Sequence, residues 1–293
     1  MKNIVCFGEV LWDVFPTHKK IGGAPLNVAL RLQSFGNQVS IITRIGNDAK
    51  GFEILDFIKA QGVNIDNVQV DKTLETGAVD VVLDANGSAS YTINKNRAWD
   101  NIQLTETAIE KTKQADAFIF GSLVARDITS RATLYALLKV ANYKILDINL
   151  RAPHYTKDVL NELMYAANFI KFNDDEIYEI AKTMYFKSDS LEDNMLFISK
   201  QMVTTSICVT KGDKGAILYH NQTFYYNSGY KIQVVDTVGA GDSFLGSLIT
   251  KLLNNTPPQE AIDYACAVGA LVASHEGANP KLNESEILKF IES

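Results

Sequence analysis

Asp242 stands at the end of the run Asp236-Thr237-Val238-Gly239-Ala240-Gly241-Asp242, followed by Ser243-Phe244. Tyr230 to Val235, just before it, alternate as a strand does, and Leu245 to Leu253 carry apolar residues at helical spacing. The spacing predicts a strand-to-helix turn with Gly239, Ala240 and Gly241 at a helix N-terminus. Free backbone N–H groups and about half a unit of positive charge collect at such an end, which suits a phosphate. Glycines let an anion approach the backbone closely. A carboxylate there repels that anion unless it has chemistry to do. Where a substrate hydroxyl meets a γ-phosphate, Asp242 can accept the hydroxyl proton as a general base. The competing reading is an ordinary acidic first-turn residue that complements the helix dipole.

Other polar residues gather where the pattern predicts strand ends, and open α/β sheets bind ligands beyond the carboxyl ends of their strands. Asp13 follows the first strand, and Gly22, Gly23 and Asn27 open the next helix. Asp147-Ile148-Asn149-Leu150-Arg151, Asn173-Asp174-Asp175-Glu176 and Thr210-Lys211-Gly212 each end a strand. Short carboxylates and amides grip the hydroxyls of a sugar, a task that suits Asp13 and Asn27. Each also has a plainer reading: Asp13 a solvated loop acid, Asn27 a first-turn residue, Asn173 to Glu176 an acidic helix cap, Lys211 a loop lysine. His18, His154, His220 and His275 are scattered without metal-ligand spacing.

The elements that must hold these residues follow from periodicity. Val5 to Gly8 reads as a buried strand, Gly22 to Phe35 leads into a helix, and Val39 to Thr43 returns as a strand. From Thr105, helices alternate with strands Ala117–Phe120, Ile145–Asp147, Phe169–Lys171 and Ser206–Thr210, which predicts a parallel sheet covered on both faces. Ala216–Tyr219 and Phe224–Tyr226 read as an antiparallel edge hairpin, and helices close the chain. Ala78–Asp84 and Ala89–Asn94 form a second hairpin about the turn Asp84-Ala85-Asn86-Gly87. Its weaker apolarity places it outside the main sheet, as a lid of about residues 13–21 and 75–98 inserted in one domain, 1–293. Such lids exclude water and complete a site on closure.

The 293 residues carry a formal net charge of −6, which argues against a general nucleic-acid binder. Cys6, Cys208 and Cys266 lie far apart in apolar runs, as reduced core thiols do. The N-terminus enters a strand at once, and no run reaches the roughly 18 apolar residues of a membrane span. A cytoplasmic protein with small-molecule ligands, neither nucleic acid nor membrane, is expected.

Asp236 to Phe244 resembles the C-terminal motif of the ribokinase-like (PfkB) carbohydrate kinases, in which the Gly-Ala-Gly-Asp turn is the anion hole and its Asp the catalytic base. Gly8-Glu9-Val10-Leu11-Trp12-Asp13 and Gly22-Gly23-Ala24-Pro25-Leu26-Asn27-Val28-Ala29 resemble the N-terminal elements of bacterial fructokinases, where the Asp and the Gly-Gly…Asn hold the sugar. Gly121 to Arg126 and Asp147-x-Asn149-x-Arg151 are also similar to fructokinases rather than ribokinases. The resemblance runs from Phe7 to about Pro280.

The resemblance implies a ribokinase-like three-layer α/β/α sandwich with a mostly parallel sheet and a small β-sheet lid. It implies ATP-dependent phosphorylation of a sugar, fructose foremost, with ribose, 2-keto-3-deoxygluconate and nucleosides as the family's other substrates. Asp242 would be the base within Gly239-Ala240-Gly241. Asp13, Gly22, Gly23, Asn27, Asn149 and Arg151 would hold the sugar, with Arg97 either closing over it or remaining a surface arginine. Asn173, Thr210, Lys211, Gly212, Gly239, Gly241 and Gly269 would meet ATP, although small residues on the helix of Gly269 equally suit close packing. Glu176 would act on Mg²⁺ through water, since Mg²⁺ keeps several of its waters. Asp236, the Val238 carbonyl and Ser274 occupy positions resembling a monovalent-cation site, with K⁺ the candidate. An exposed apolar lid face would favour a homodimer.

Rival readings find less support. A Rossmann oxidoreductase needs Gly-x-Gly-x-x-Gly followed by a second strand ending in an acid, but the third glycine falls at Gly246 and the chain turns helical. Walker, Gly-x-Ser-x-Gly and His-Glu-x-x-His patterns are absent. A sugar- or nucleotide-sensing protein on the same scaffold is the non-catalytic alternative; binding alone has no need of Asp242 beside a phosphate.

Overall fold

Alternation along the first strand decides how the layers stack. In β1 (Asn3–Phe7), Val5 and Phe7 enter one hydrophobic core while Ile4 and Cys6 enter another, so the strand is buried on both faces. The computed structural model describes residues 1–83 and 89–292. After β1 come β2 (Leu11–Val14), β3 (Lys19–Gly22), α1 (Ala24–Ser34), β4 (Gln38–Gly46), α2 (Ala49–Ala60) and β5 (Val68–Asp71). The pair β6 (Gly77–Leu83) and β7 (Ala89–Ile93) precedes an alternating stretch: α3 (Glu106–Gln114), β8 (Ala117–Gly121), α4 (Ile128–Leu138), β9 (Lys144–Asp147), α5 (Lys157–Ala166) and β10 (Phe169–Asn173). Then follow α6 (Asp174–Thr183), α7 (Leu191–Met202), β11 (Ser206–Thr210), β12 (Ala216–His220), β13 (Thr223–Asn227), α8 (Ala240–Leu253), α9 (Pro258–Ala273) and α10 (Glu284–Ile291).

Among the described residues, nine strands form one sheet in the order β13-β12-β11-β10-β9-β8-β1-β4-β5. It is parallel from β11 to β5, and the hairpin β12–β13 closes one edge antiparallel. One core packs the sheet against α3 to α7 through residues such as Leu134, Leu163, Ile177 and Ile198. The other packs it against α1, α2, α8 and α9 through Leu26, Ile54, Leu248 and Ala265. This is the three-layer α/β/α arrangement expected from the alternation. A separate four-stranded sheet has the order β3-β2-β6-β7, so residues from either side of α1 and α2 share it. The expected turn Asp84 to Gly87 lies outside the described residues.

The strand expected over Tyr230 to Val235 does not form. Here Val234 and Val235 are 57% and 60% exposed, and the N–H groups of Val235 and Asp236 donate to the Ala273 carbonyl at the end of α9. An alternating pattern makes a strand only where a sheet edge offers a ladder, and this segment lies against a helix end. Strand β5 was not read from the sequence, and of helix α6 only an acidic cap at Asn173 to Glu176 was. The polar β5 is an outer strand pairing with β4 alone, and α6 opens on three consecutive acids that mask its apolar stripe. Among the described residues, no helix is long and apolar enough to cross a membrane. Cys6, Cys208 and Cys266 are buried free thiols, as expected.

Candidate active site

The turn before α8 is built around Gly239, the N-cap, at φ 76° and ψ −2°. That left-handed conformation favours glycine, and a Cβ here would lie 2.5 Å from the Ala278 side chain. The loop that follows α9 is therefore pressed directly against the turn. Gly241 and Asp242 lie in the first turn of α8, where N–H groups have no intrahelical acceptor. The Ala240 N–H turns back to the Thr237 carbonyl at 3.3 Å. The turn expected to serve as an anion hole is thus a coil-to-helix junction, and its Ala240 amide is partly engaged.

Asp242 is held by α1. Asn27 Nδ2 donates to Asp242 Oδ2 at 2.8 Å, and Asn279 Nδ2 donates to Asn27 Oδ1 at 3.1 Å. Gly23, at φ 112°, caps α1 and delivers Asn27 to this position, because any Cβ at Gly23 would meet the Glu9 carbonyl at 2.5 Å. Below, the buried Arg31 donates to Ser243 Oγ and to the Pro280 carbonyl, both at 3.1 Å, tying α1, α8 and the following loop together.

Burial, then the Asp147 carboxylate, pushes the Asp242 carboxyl up to about 6, against the lowering pull of Asn27, Lys171 and Arg151. Asp13, on β2, is raised to about 6 by burial, with Arg151 and Lys20 pulling it down. Gly22 leaves room for it: a Cβ there would strike Asp13 Oδ2 at 2.4 Å. Arg151, on the exposed loop after β9, lies close enough to act on Glu9, Asp13 and Asp242 together. Asn149 takes a left-handed φ of 39° as the chain leaves β9. Asp13, Gly22, Gly23, Asn27, Arg151 and Asp242 thus come together where the N-terminus of α1, the small sheet and the N-terminus of α8 meet.

Arg97 caps a short 3₁₀ turn, and its guanidinium pairs with Glu75. The buried guanidinium nearby is Arg126, which pairs with Asp100 at 2.7 Å and stacks 4.0 Å over Trp99.

Asn173 caps α6, and Glu176 completes a reciprocal capping box. One Glu176 carboxylate oxygen accepts the Asn173 N–H and the other the Leu150 N–H, each at 2.8 Å. Both oxygens are therefore committed to backbone. Among the described residues, no group of three or more His, Cys, Asp or Glu is arranged to hold a metal ion. With each oxygen already accepting a backbone N–H, Glu176 would meet a divalent ion through water rather than directly.

Thr210 and Lys211 leave β11, where the Lys211 N–H donates to the Gly215 carbonyl at 2.8 Å. Gly212, at φ 59°, has open space where a Cβ would stand. Gly269 is half-buried on α9, and a Cβ there would lie 3.5 Å from the Ala240 carbonyl, an ordinary contact. Asp236 Oδ1 accepts the Val238 N–H and Oδ2 the Gly277 N–H, while Ser274 Oγ donates to the Leu271 carbonyl. Lys20 Nζ lies 3.6 Å from Asp236, so a monovalent cation here would share that carboxylate with an ammonium.

Three buried groups were given no role of their own in the sequence reading. Glu9 is 4% exposed, its Oε2 has no hydrogen-bond partner, and burial raises its carboxyl to about 7. Lys171 pairs with Asp147 at 2.9 Å, both side chains less than a tenth exposed. The signal for Lys171 was legible, since one lysine interrupts the apolar run Phe169-Ile170-Lys171-Phe172. Asp147 was legible only as the start of the strand-end run Asp147 to Arg151, and Glu9 only as part of the run Gly8 to Asp13.

The sequence pattern of the pfkB family carbohydrate kinase matches residues 1–285. A fructokinase of Solanum tuberosum is 28% identical over 313 residues, covering 98% of this chain and 95% of that protein. An uncharacterized sugar kinase from Pyrococcus horikoshii superposes with a TM-score of 0.85 at 25% identity, over 98% of this chain and 97% of the other. A Vibrio cholerae fructokinase crystallised with fructose, ADP and potassium superposes with a TM-score of 0.84 at 22% identity, over 99% and 98% of the two chains, a likeness of fold.

Proposed function

Since this chain belongs to the pfkB family of carbohydrate kinases, we propose that the sugar it phosphorylates with ATP is D-fructose and that Asp242 is the catalytic base. The observation that carries the second part is the bond from Asn27 to Asp242 at the helix N-terminus, which orients one carboxylate oxygen and leaves the other for a hydroxyl. The fructokinase of Solanum tuberosum, similar along nearly the whole chain, supports the choice of sugar.

In this mechanism Asp13 and Asn27 receive the sugar hydroxyls in the cleft under the small sheet, with Arg151 at its mouth. Asp242 takes the proton of the reacting hydroxyl, and the oxygen forms a bond to the γ-phosphorus as the bond to the β–γ bridging oxygen breaks and ADP leaves. The Gly241 and Asp242 N–H groups face charge developing on the transferred phosphoryl, where preorganised donors contribute most. Bound magnesium would neutralise nucleotide phosphate charge, with Glu176 and Asn173 next to it through water. Closure of the small sheet would exclude water, so that the phosphoryl passes to sugar rather than to solvent.

A coupled ADP-release assay across fructose, ribose, 2-keto-3-deoxygluconate and adenosine tests the assignment. Fructose should give the highest kcat/KM. A strong preference for ribose or adenosine would overturn the choice of sugar and leave the kinase family untouched.

A further inference from the structure

Lys171 and Asp147 face each other directly across the parallel ladder of β9 and β10, at the end of the sheet where the site lies. The ammonium and carboxylate meet at 2.9 Å with 8% and 6% of their side chains exposed. A buried ion pair of this kind is a weak source of stability, because well-packed apolar residues commonly do as well. This pair is also not self-contained. Asp147 Oδ2 is buried without a partner, and Lys171 Nζ lies 3.6 Å from the position a Gly241 Cβ would take. The ammonium thus stands beneath the very turn that carries Asp242.

We propose that Lys171 is a positioning residue for phosphoryl transfer: clamped by Asp147 under Gly241, its ammonium keeps Asp242 in the charged form that accepts the proton. The proposal rests on Asp242 being the base. The groups that act on Asp242 come from each element around it: Asp147 from β9, Lys171 from β10, Arg151 from the loop after β9, and Asn27 from α1. Glu9, from the loop after β1, is coupled to it as well. Lys171 is coupled to Asp147, Glu176 and Asp242 together. Burial by itself would strip its proton, but Asp147 first, then Glu176 and Asp242, hold the ammonium charged on balance.

The test follows the Asp242 carboxyl itself, by ¹³C NMR on aspartate-labelled protein, with its signal assigned by loss in Asp242→Asn. In Lys171→Met the midpoint should rise by on the order of one pH unit, whereas Lys171→Arg should stay near wild type. Lys171→Gln, which removes the charge and keeps a polar head beside Asp147, should raise the midpoint likewise, and this arm decides the matter if Lys171→Met does not fold. An unmoved midpoint in a folded Lys171→Met or Lys171→Gln chain overturns the proposal. Because the readout is not activity, a wild-type chain inactive on every sugar would count against the function assigned above and not against this role for Lys171. In the active enzyme the acid limb of kcat/KM should move with the NMR midpoint while the sugar KM stays near wild type.

Discussion

Asn27 and Asp242 are 215 residues apart in the chain and 2.8 Å apart in space. The bond joins the first turn of one helix to the first turn of another, so the residue read as a sugar ligand also orients the residue read as the base. Loss of Asn27 should therefore be felt in both binding and chemistry.

Asn27→Ala should raise the sugar KM and lower kcat together. Hydrogen bonds to charged groups are worth about 1.5–3 kcal/mol, which corresponds to roughly 10- to 150-fold in kcat/KM. Steady-state kinetics at saturating ATP check this; a change in KM alone would mean that Asn27 does not orient Asp242.

Asp242→Asn should lower kcat by about 10²- to 10⁴-fold, the usual contribution of a general base. Binding of ADP, measured by calorimetry, should survive. Near-normal turnover would remove Asp242 from the proposed mechanism.

The wild-type pH profile should carry the Asp242 titration. Its carboxyl sits at about 6, and the unprotonated form does the work. Thus kcat/KM should climb with pH below about 6 and level off above it. An acid limb centred near the ordinary aspartate value of 3.8 would show that burial does not govern this group.

Stability should show the opposite sign. A carboxyl raised in the folded chain binds its proton more tightly than in the unfolded chain, so its contribution is full below the unfolded value and is lost as pH rises through about 6. Asp242→Asn has no such charge to bury. Its Tm should exceed that of wild type by a margin that grows between about pH 4 and pH 7, followed by thermal unfolding across that range. A margin that does not change with pH would contradict this.

Gly239→Ala should cost more than Gly36→Ala, although both glycines have φ near 77°. Left-handed strain of about 1–3 kcal/mol applies at each site. Gly36 has open space around it, whereas a Cβ at Gly239 meets Ala278 at 2.5 Å. Thermal unfolding of the two variants measures the difference, and equal losses would mean that the loop after α9 yields freely.

Much of this molecule was legible from local patterns. Strand alternation, helix periodicity and the glycines at helix starts are properties of a few consecutive residues, and they sufficed for a parallel sheet between helical layers and for Asp242 at a helix N-terminus. The run Tyr230 to Val235 marks the limit, because a strand also needs a partner edge that its own residues do not specify. Relations between distant segments were decided by packing alone. Arg97 could be placed after a hairpin but not seen to pair with Glu75, and Lys171 could be seen as odd but not as the partner of Asp147. Whether a charge is buried, and which opposite charge it meets, depends on which elements the folded sheet sets side by side. The sequence determined the kinds of group available for the chemistry; the tertiary structure decided which of them come together, and so which carboxylate Asn27 holds.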